Sequence, residues 1–322
     1  MKTRAGFIAI LLTILFGVTA VYATIAATAN AQTIKARLPM ANYSPYCKGE
    51  ISWAEHSEYD IELLRLAIRY SGQDIDLVPV CMEYPTEARR VSMLKTNDLI
   101  NVVFFGTTPS READLLPVYV PIYLGTTGLR LFLTRPDISQ KLAQVRTIRD
   151  LQGFSMGQGL GWPDVEILKR NGFDVTGGRY KALHEMLHAK RFDLYPRAYW
   201  QIAAEQKWMS YRAPDIMIDT NVALYYPQPI YIFVSPFAPD LRNAIKTGLE
   251  RAHQDGKILE LLQRHPQTAP SFAELDLKAL RIIEIDNPLL PARSRLALAK
   301  YSLIHTLGLS NPLPESTINH ED

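Results

Sequence analysis

Between Thr33 and Gly106 two hydrophobic periods take turns. TIKARLPM reads as extended chain. EYDIELLRLAIRYSG places Ile61, Leu64, Ala67 and Ile68 at helical spacing and ends on Gly72, a helix stop. IDLVPV is a second strand, TEARRVSMLKTN a second helix and LINVVFFG a strongly apolar third strand. A strand–helix–strand–helix–strand order leaves few solutions. The strands pair in parallel and the helices between them cover the sheet. The chain is therefore expected to be α/β.

The pattern repeats further on. GLRLFLTR reads as a long strand leaving this unit, and a second α/β unit begins near Val145. It contains FSMGQG and FDLYP as strands, with PDVEILKRN and YKALHEMLHAKR as helices. PIYIFVSP then returns as a strand. DLRNAIKTGLERAHQDGKILELLQRH carries Leu241, Ile245 and Leu249 at intervals of four, and the proline-rich tail after Pro266 holds one strand-like run, LRIIEI. No fixed-period repeat and no low-complexity run is present. With GLRLFLTR and PIYIFVSP as connections, the expected first lobe is 32–129 with 236–322, and the second, inserted lobe is 130–235. Two lobes joined by strands leave a cleft, where small ligands usually sit.

The N-terminus reads as a leader. Lys2 and Arg4 precede the apolar run FIAILLTILFGV, and Ala29-Asn30-Ala31 fits a small-residue cleavage site, so residues 1–31 form an expected signal peptide. An uncleaved anchor is the alternative. Without Lys2 and Arg4 the 35 basic residues fall to 33, equal to the 33 acidic ones. A balanced surface has no field to attract nucleic acid. Cys47 and Cys81 are the two cysteines. In an exported chain a bridge between them is permitted, with two buried free thiols as the alternative.

Three short stretches look like enzyme motifs. GQGLGW at 157–162 has Trp162 where a dinucleotide loop needs glycine, and Asp164 and Glu166 follow where a pyrophosphate would be repelled. What it offers is a glycine-lined turn into a helix, with Pro163 in the first helical turn and free N–H groups that suit an anion. GFSMG at 153–157 matches the nucleophile elbow, but Ser155 would lie in a strand with the helix starting only near Pro163. HEMLH at 184–188 puts His184 and His188 on one helix face, where they could share a zinc ion with Glu185 as base. No third ligand is evident, with Glu205 and Glu250 the available acids. The plainer reading has Leu183, Met186 and Leu187 inside and both histidines in water.

The order of elements resembles the extracellular solute-binding proteins of the amino-acid (family 3) class, over nearly all of residues 33–270. That resemblance implies the two-lobe, type II periplasmic binding fold. NYSPY at 42–46 is similar to the loop whose aromatic covers the ligand, which points to Tyr43 with Tyr46 beside it. GTTPSRE at 106–112 is similar to the segment that holds a ligand carboxylate, pointing to Gly106, Thr107, Thr108 and Arg111. LQGFSMGQGLGW resembles the first strand and turn of the second lobe, placing Gln158, Gly159, Gly161 and Trp162 at the cleft. KRFDLYPR resembles the strand that carries an acid for the ligand's amino group. GWPDVEILKRNGF with FDLYPR also resembles a less characterised branch of these proteins.

One departure changes the expected ligand. After FDLYP stands Arg197, with no acid at or just after it. The expected ligand is therefore more anionic than an ordinary amino acid, a carboxylate or di-acid held by Arg111 and Arg197. Surface pairs of Arg111 with Glu112 or Asp114, and of Arg197 with Asp193, are the bland alternatives. The implied role is non-covalent capture by a monomer without a cofactor, in the periplasm, for a membrane importer or a sensor. The rivals are a periplasmic zinc hydrolase built on HEMLH and an enzyme, such as a dehydratase, built on the binding-protein fold.

Overall fold

In the computed structural model, which describes residues 33–309, the first alternating run folds as its periods dictate. Strand β1 (Ile34–Ala41) leads to helix α1 (Tyr59–Ser71), strand β2 (Ile75–Met82), helix α2 (Glu87–Thr96) and strand β3 (Val102–Gly106). β1 and β2 pair in parallel from Ile34↔Ile75 to Ala41↔Met82. The buried face of α1 includes Ile61, Leu64 and Ala67. The Thr86 hydroxyl accepts from the Arg89 N–H and so starts α2. Helix α3 (Pro109–Asp114) and strand β4 (Leu116–Val118) follow. The expected leader, residues 1–31, lies outside the described residues.

The second unit runs through β5 (Leu129–Thr134), α4 (Pro136–Leu142), α5 (Ile148–Gln152), β6 (Met156–Gly159), α6 (Pro163–Arg170) and β7 (Val175–Gly178). It continues with α7 (Tyr180–His188), β8 (Leu194–Ala198), α8 (Tyr199–Met209), β9 (Met217–Ile218) and β10 (Val222–Tyr225). The chain then forms β11 (Ile230–Val234), α9 (Pro239–Gln254), α10 (Lys257–Arg264), α11 (Ala269–Glu274), β12 (Arg281–Glu284), α12 (Ala292–Tyr301) and α13 (Leu303–Thr306).

The strands divide into two halves. In the second, the order is β12-β10-β5-β8-β6-β7, with β9 added against β5. Both faces are covered, and the side chains alternate accordingly. Leu129, Leu131 and Leu133 of β5 enter one core, and Phe132 enters the other. In the first half, β3-β11-β4 forms an antiparallel sheet, so the parallel pairing expected of the first three strands holds for β1 and β2 only: β3 takes its partner from the returning chain. β1 lies beside it through Asn101, whose side-chain oxygen accepts from Arg37 N at 2.7 Å. Strands from β1, β3, β4 and β11 share one core with α1 and α9.

Two features depart from the boundaries expected above. PIYIFVSP was expected to close the second lobe at 235, but β11 pairs with β3 and β4 of the first. The chain therefore crosses back at 226–229. The tail was expected to stay in the first lobe, yet β12 pairs in parallel with β10 from Val222↔Arg281 to Tyr225↔Glu284. α12 then returns, burying Ala297 and Tyr301 in the first core. A strand's own pattern tells that it is buried but not which sheet it joins.

In the first lobe α9 packs closely on α1. A Cβ on Gly248 would lie 1.8 Å from the Ala67 carbonyl oxygen, so only glycine lets the two backbones approach this closely. Gly248→Ala is expected to cost about 1–3 kcal/mol through overpacking, read as a lower urea midpoint. An unchanged midpoint would show that the two helices part freely.

Candidate functional site

A cavity of about 340 Å³ opens between the halves, and residues of both supply its walls. The first lobe contributes Gly106 at the end of β3 and Glu87 at the start of α2. The second contributes the turn between β6 and α6, and the end of β8 with the start of α8. Gln228, in the returning connection, also lines the cavity. Its amide donates to the Thr107 carbonyl at 3.3 Å and its oxygen accepts from Asn287 of the tail at 2.9 Å.

The β6–α6 turn is shaped by its glycines. Gly161 sits at φ +78°, a left-handed conformation that other residues rarely adopt. A Cβ on Gly159 would lie 2.3 Å from the Trp162 ring, which therefore packs flat over that strand end. Trp162 reaches the cavity, and Arg197 stacks on it with its guanidinium carbon 5.2 Å from the ring centroid. Tyr195 and Tyr180 flank the same guanidinium at 4.7 and 5.5 Å.

The acids absent next to Arg197 in the sequence arrive through the fold. Arg197 Nε donates to Glu205 Oε2 at 2.7 Å, and both side chains are about 95% buried. His184 Nε2 stands 2.8 Å from the other Glu205 oxygen. Burial by itself raises the Glu205 carboxyl, but the Arg197 charge and the His184 contact outweigh it and hold the group below its ordinary value. Deeper in, Arg130 Nη2 lies 2.6 Å from Asp164 Oδ1, which also accepts from the Tyr226 hydroxyl at 2.5 Å. Arg130, Asp164 and Arg197 all line the cavity.

Arg111 has a third acid. Its Nη2 lies 2.5 Å from Glu87 Oε2, its Nη1 donates to the Gly106 carbonyl at 2.6 Å, and its guanidinium stacks on Phe105. The alternative partners Glu112 and Asp114 are engaged elsewhere. Glu112 accepts from Thr107, Tyr119 and Ser294, and Asp114 pairs with Lys95. The alternative partner for Arg197, Asp193, pairs with Arg135. Arg111, Arg130 and Arg197 thus each already face a carboxylate of the chain, from Glu87, Asp164 and Glu205.

The remaining expected site residues scatter. Gly106, Trp162 and Arg197 line the cavity. Gln158 is fully buried beneath it, its amide 3.4 Å from the Pro196 carbonyl oxygen. Thr107 is buried against Glu112, and the Thr108 hydroxyl caps α3 by accepting from Arg111 N. Tyr43 lines a neighbouring recess of about 320 Å³ with Tyr84, Glu58 and Asp60, and Tyr46 packs on Trp53. Glu58 and Asp60 also border a groove beyond Trp200 and Gln201, two residues of the main cavity wall. Burial pushes the Asp60 carboxyl up to about 6, against the opposing effect of the Tyr123 hydroxyl bond. Tyr123 in turn stacks on Trp200, ring centroids 3.8 Å apart, and so joins the first connection to α8.

HEMLH forms no metal site here. His184 is 1% exposed and turned to Glu205, whereas His188 is on the surface, 3.8 Å from Asp215. Among the described residues no three His, Cys, Asp or Glu side chains are grouped to hold an ion. Cys47 and Cys81 are bridged, tying the loop after β1 to the end of β2.

Solved structures place this architecture. An ancestral arginine-binding protein bound to arginine superposes with a TM-score of 0.50 at 17% identity, over 73% of this chain and 98% of that one. A structure concerning glutathione import through GshT and the cystine importer TcyBC of Streptococcus mutans gives 0.51 at 15% identity, over 73% and 95%. The chain has the two-lobe fold of the periplasmic binding proteins. No family model and no curated protein matches it. Within that fold the expected α/β architecture holds. The cavity also takes Glu87, Arg130, Asp164, Trp200 and Gln228 as wall residues, none of which the sequence placed at a site.

Proposed function

We propose that this chain is an exported solute-binding protein that captures a small carboxylate-bearing solute between its lobes and presents it to a membrane importer or a sensor. One observation carries the reading: the cavity takes its walls from both lobes and from Gln228 in the connection between them. Its size, near 340 Å³, suits a small metabolite. Aromatic faces from Trp162 and Trp200 offer contact area, and the N–H groups of Arg130 and Arg197 that do not face Asp164 and Glu205 offer donors for a carboxylate. A ligand touching both walls binds the closed arrangement better than the open one, and that difference drives closure.

Export through the leader fits the Cys47–Cys81 bridge, which persists in an oxidising compartment. The balanced charge supports a small-molecule partner rather than nucleic acid. The chain acts as a monomer, and the reading assigns it no reaction. A thermal-shift panel of organic acids, amino acids and polyols tests it. A true ligand at 100 times its Kd adds about 2.7 kcal/mol, a rise of roughly 4 °C for a chain of this size. A flat response across the panel would contradict the proposal.

A further inference from the structure

Two arginines and one acid meet on a single ring at the first-lobe wall. Arg111 and Arg90 both stack on Phe105, their guanidinium carbons 4.8 and 4.9 Å from the ring centroid. Glu87 stands between them, with Oε2 2.5 Å from Arg111 Nη2 and Oε1 4.0 Å from Arg90 Nη2. Glu87 is the member of this trio that lines the cavity. The Arg111 side chain is only 12% exposed, and its other terminal nitrogen is taken by the Gly106 carbonyl. The carboxylate of Glu87 thus sits where an incoming carboxylate would have to sit to reach this arginine.

We propose that Glu87 is a specificity-determining residue: by occupying Arg111 it turns ligand carboxylates away from the first lobe unless they displace it. A tethered group competes at a high effective concentration, in the millimolar range or above for short links. A site open in only a fraction of molecules binds with affinity reduced by that fraction. A simple acid therefore meets a closed guanidinium here, whereas a ligand donor is met by the Glu87 oxygens. The inference rests on the cavity being the solute site, and it adds which wall rejects a free carboxylate.

Titration calorimetry with succinate and glutarate tests it on the full chain, comparing the wild type with Glu87→Gln, Glu87→Ala and the double variant Glu87→Gln/Arg111→Gln. The Thr86 cap of α2 is untouched by these changes. Both single variants are expected to bind the probes at least about 10-fold more tightly than the wild type, and the double variant to lose that gain. Equal or weaker binding by the single variants, a gain that survives loss of Arg111, or no measurable binding in any form would overturn the inference. The urea midpoints of all forms, measured alongside, separate a lost fold from a changed site. A wild type that responds to some member of the solute panel while Glu87→Gln shows no gain refutes the role of Glu87 alone. A wild type silent to the whole panel refutes the solute-binding reading itself.

Discussion

Glu205→Leu lowers the unfolding free energy by about 3–5 kcal/mol at pH 7, because it leaves Arg197 buried without its counter-charge. Arg197 has no water to turn to: its side chain is 5% exposed and enclosed by Tyr195, Tyr180 and Trp162. Removing both charges is milder. Replacing a buried pair with apolar side chains of similar volume is often neutral or better, so Glu205→Leu/Arg197→Met is expected to recover most of the loss. The double-mutant cycle then yields the coupling between the two residues. The pH dependence has a definite sign. Glu205 is held below its ordinary value in the folded chain, so its contribution is complete above the unfolded value near ~4.3. That contribution is lost as pH falls through the lower folded value. The gap between wild type and Glu205→Leu should therefore be constant from pH 5 to 8 and shrink in stronger acid. Equal urea midpoints at pH 7 would show that Arg197 finds other compensation.

Removing the Cys47–Cys81 bridge has an effect of similar size. The two cysteines are 34 residues apart in sequence, and closing a loop of that length removes about 4 kcal/mol of unfolded-chain entropy. Cys47→Ser/Cys81→Ser, or reduction of the wild type, is expected to lower stability by about 2–5 kcal/mol. The consequence is local as well. The bridge anchors the loop carrying Tyr43, Ser44 and Pro45, which form one wall of the recess beside Glu58 and Asp60. Hydrogen exchange in residues 42–50 should rise more than in β3 when the bridge is cut. A urea midpoint indifferent to reductant would count against this account.

The α/β class and most elements were legible because strand and helix periods differ so plainly in the first and second units. The sheet partners were not. PIYIFVSP announces a buried strand, but its pairing with β3 and β4 depends on topology that its own residues do not encode. LRIIEI likewise gives no sign of its place beside β10. Gly106 and Trp162 were named by resemblance, and Arg197 by its departure from that resemblance; all three line the cavity. Their partners were not, since each is remote or disguised. Glu205 lies two turns into a helix after Arg197, and Asp164 meets Arg130 only through packing. Glu87 reads as an ordinary acid in a helix's first turn. Tyr43 was placed by resemblance at the ligand, and the fold puts it on a recess with Tyr84, Glu58 and Asp60.

The most direct test is diffraction from crystals grown with whichever solute raises the melting temperature most. The account predicts electron density for that molecule enclosed between Trp162 and Arg197 on one side and Gly106 on the other. The same solute bound on an outer face, or the space between the lobes left empty at saturating concentration, would contradict it.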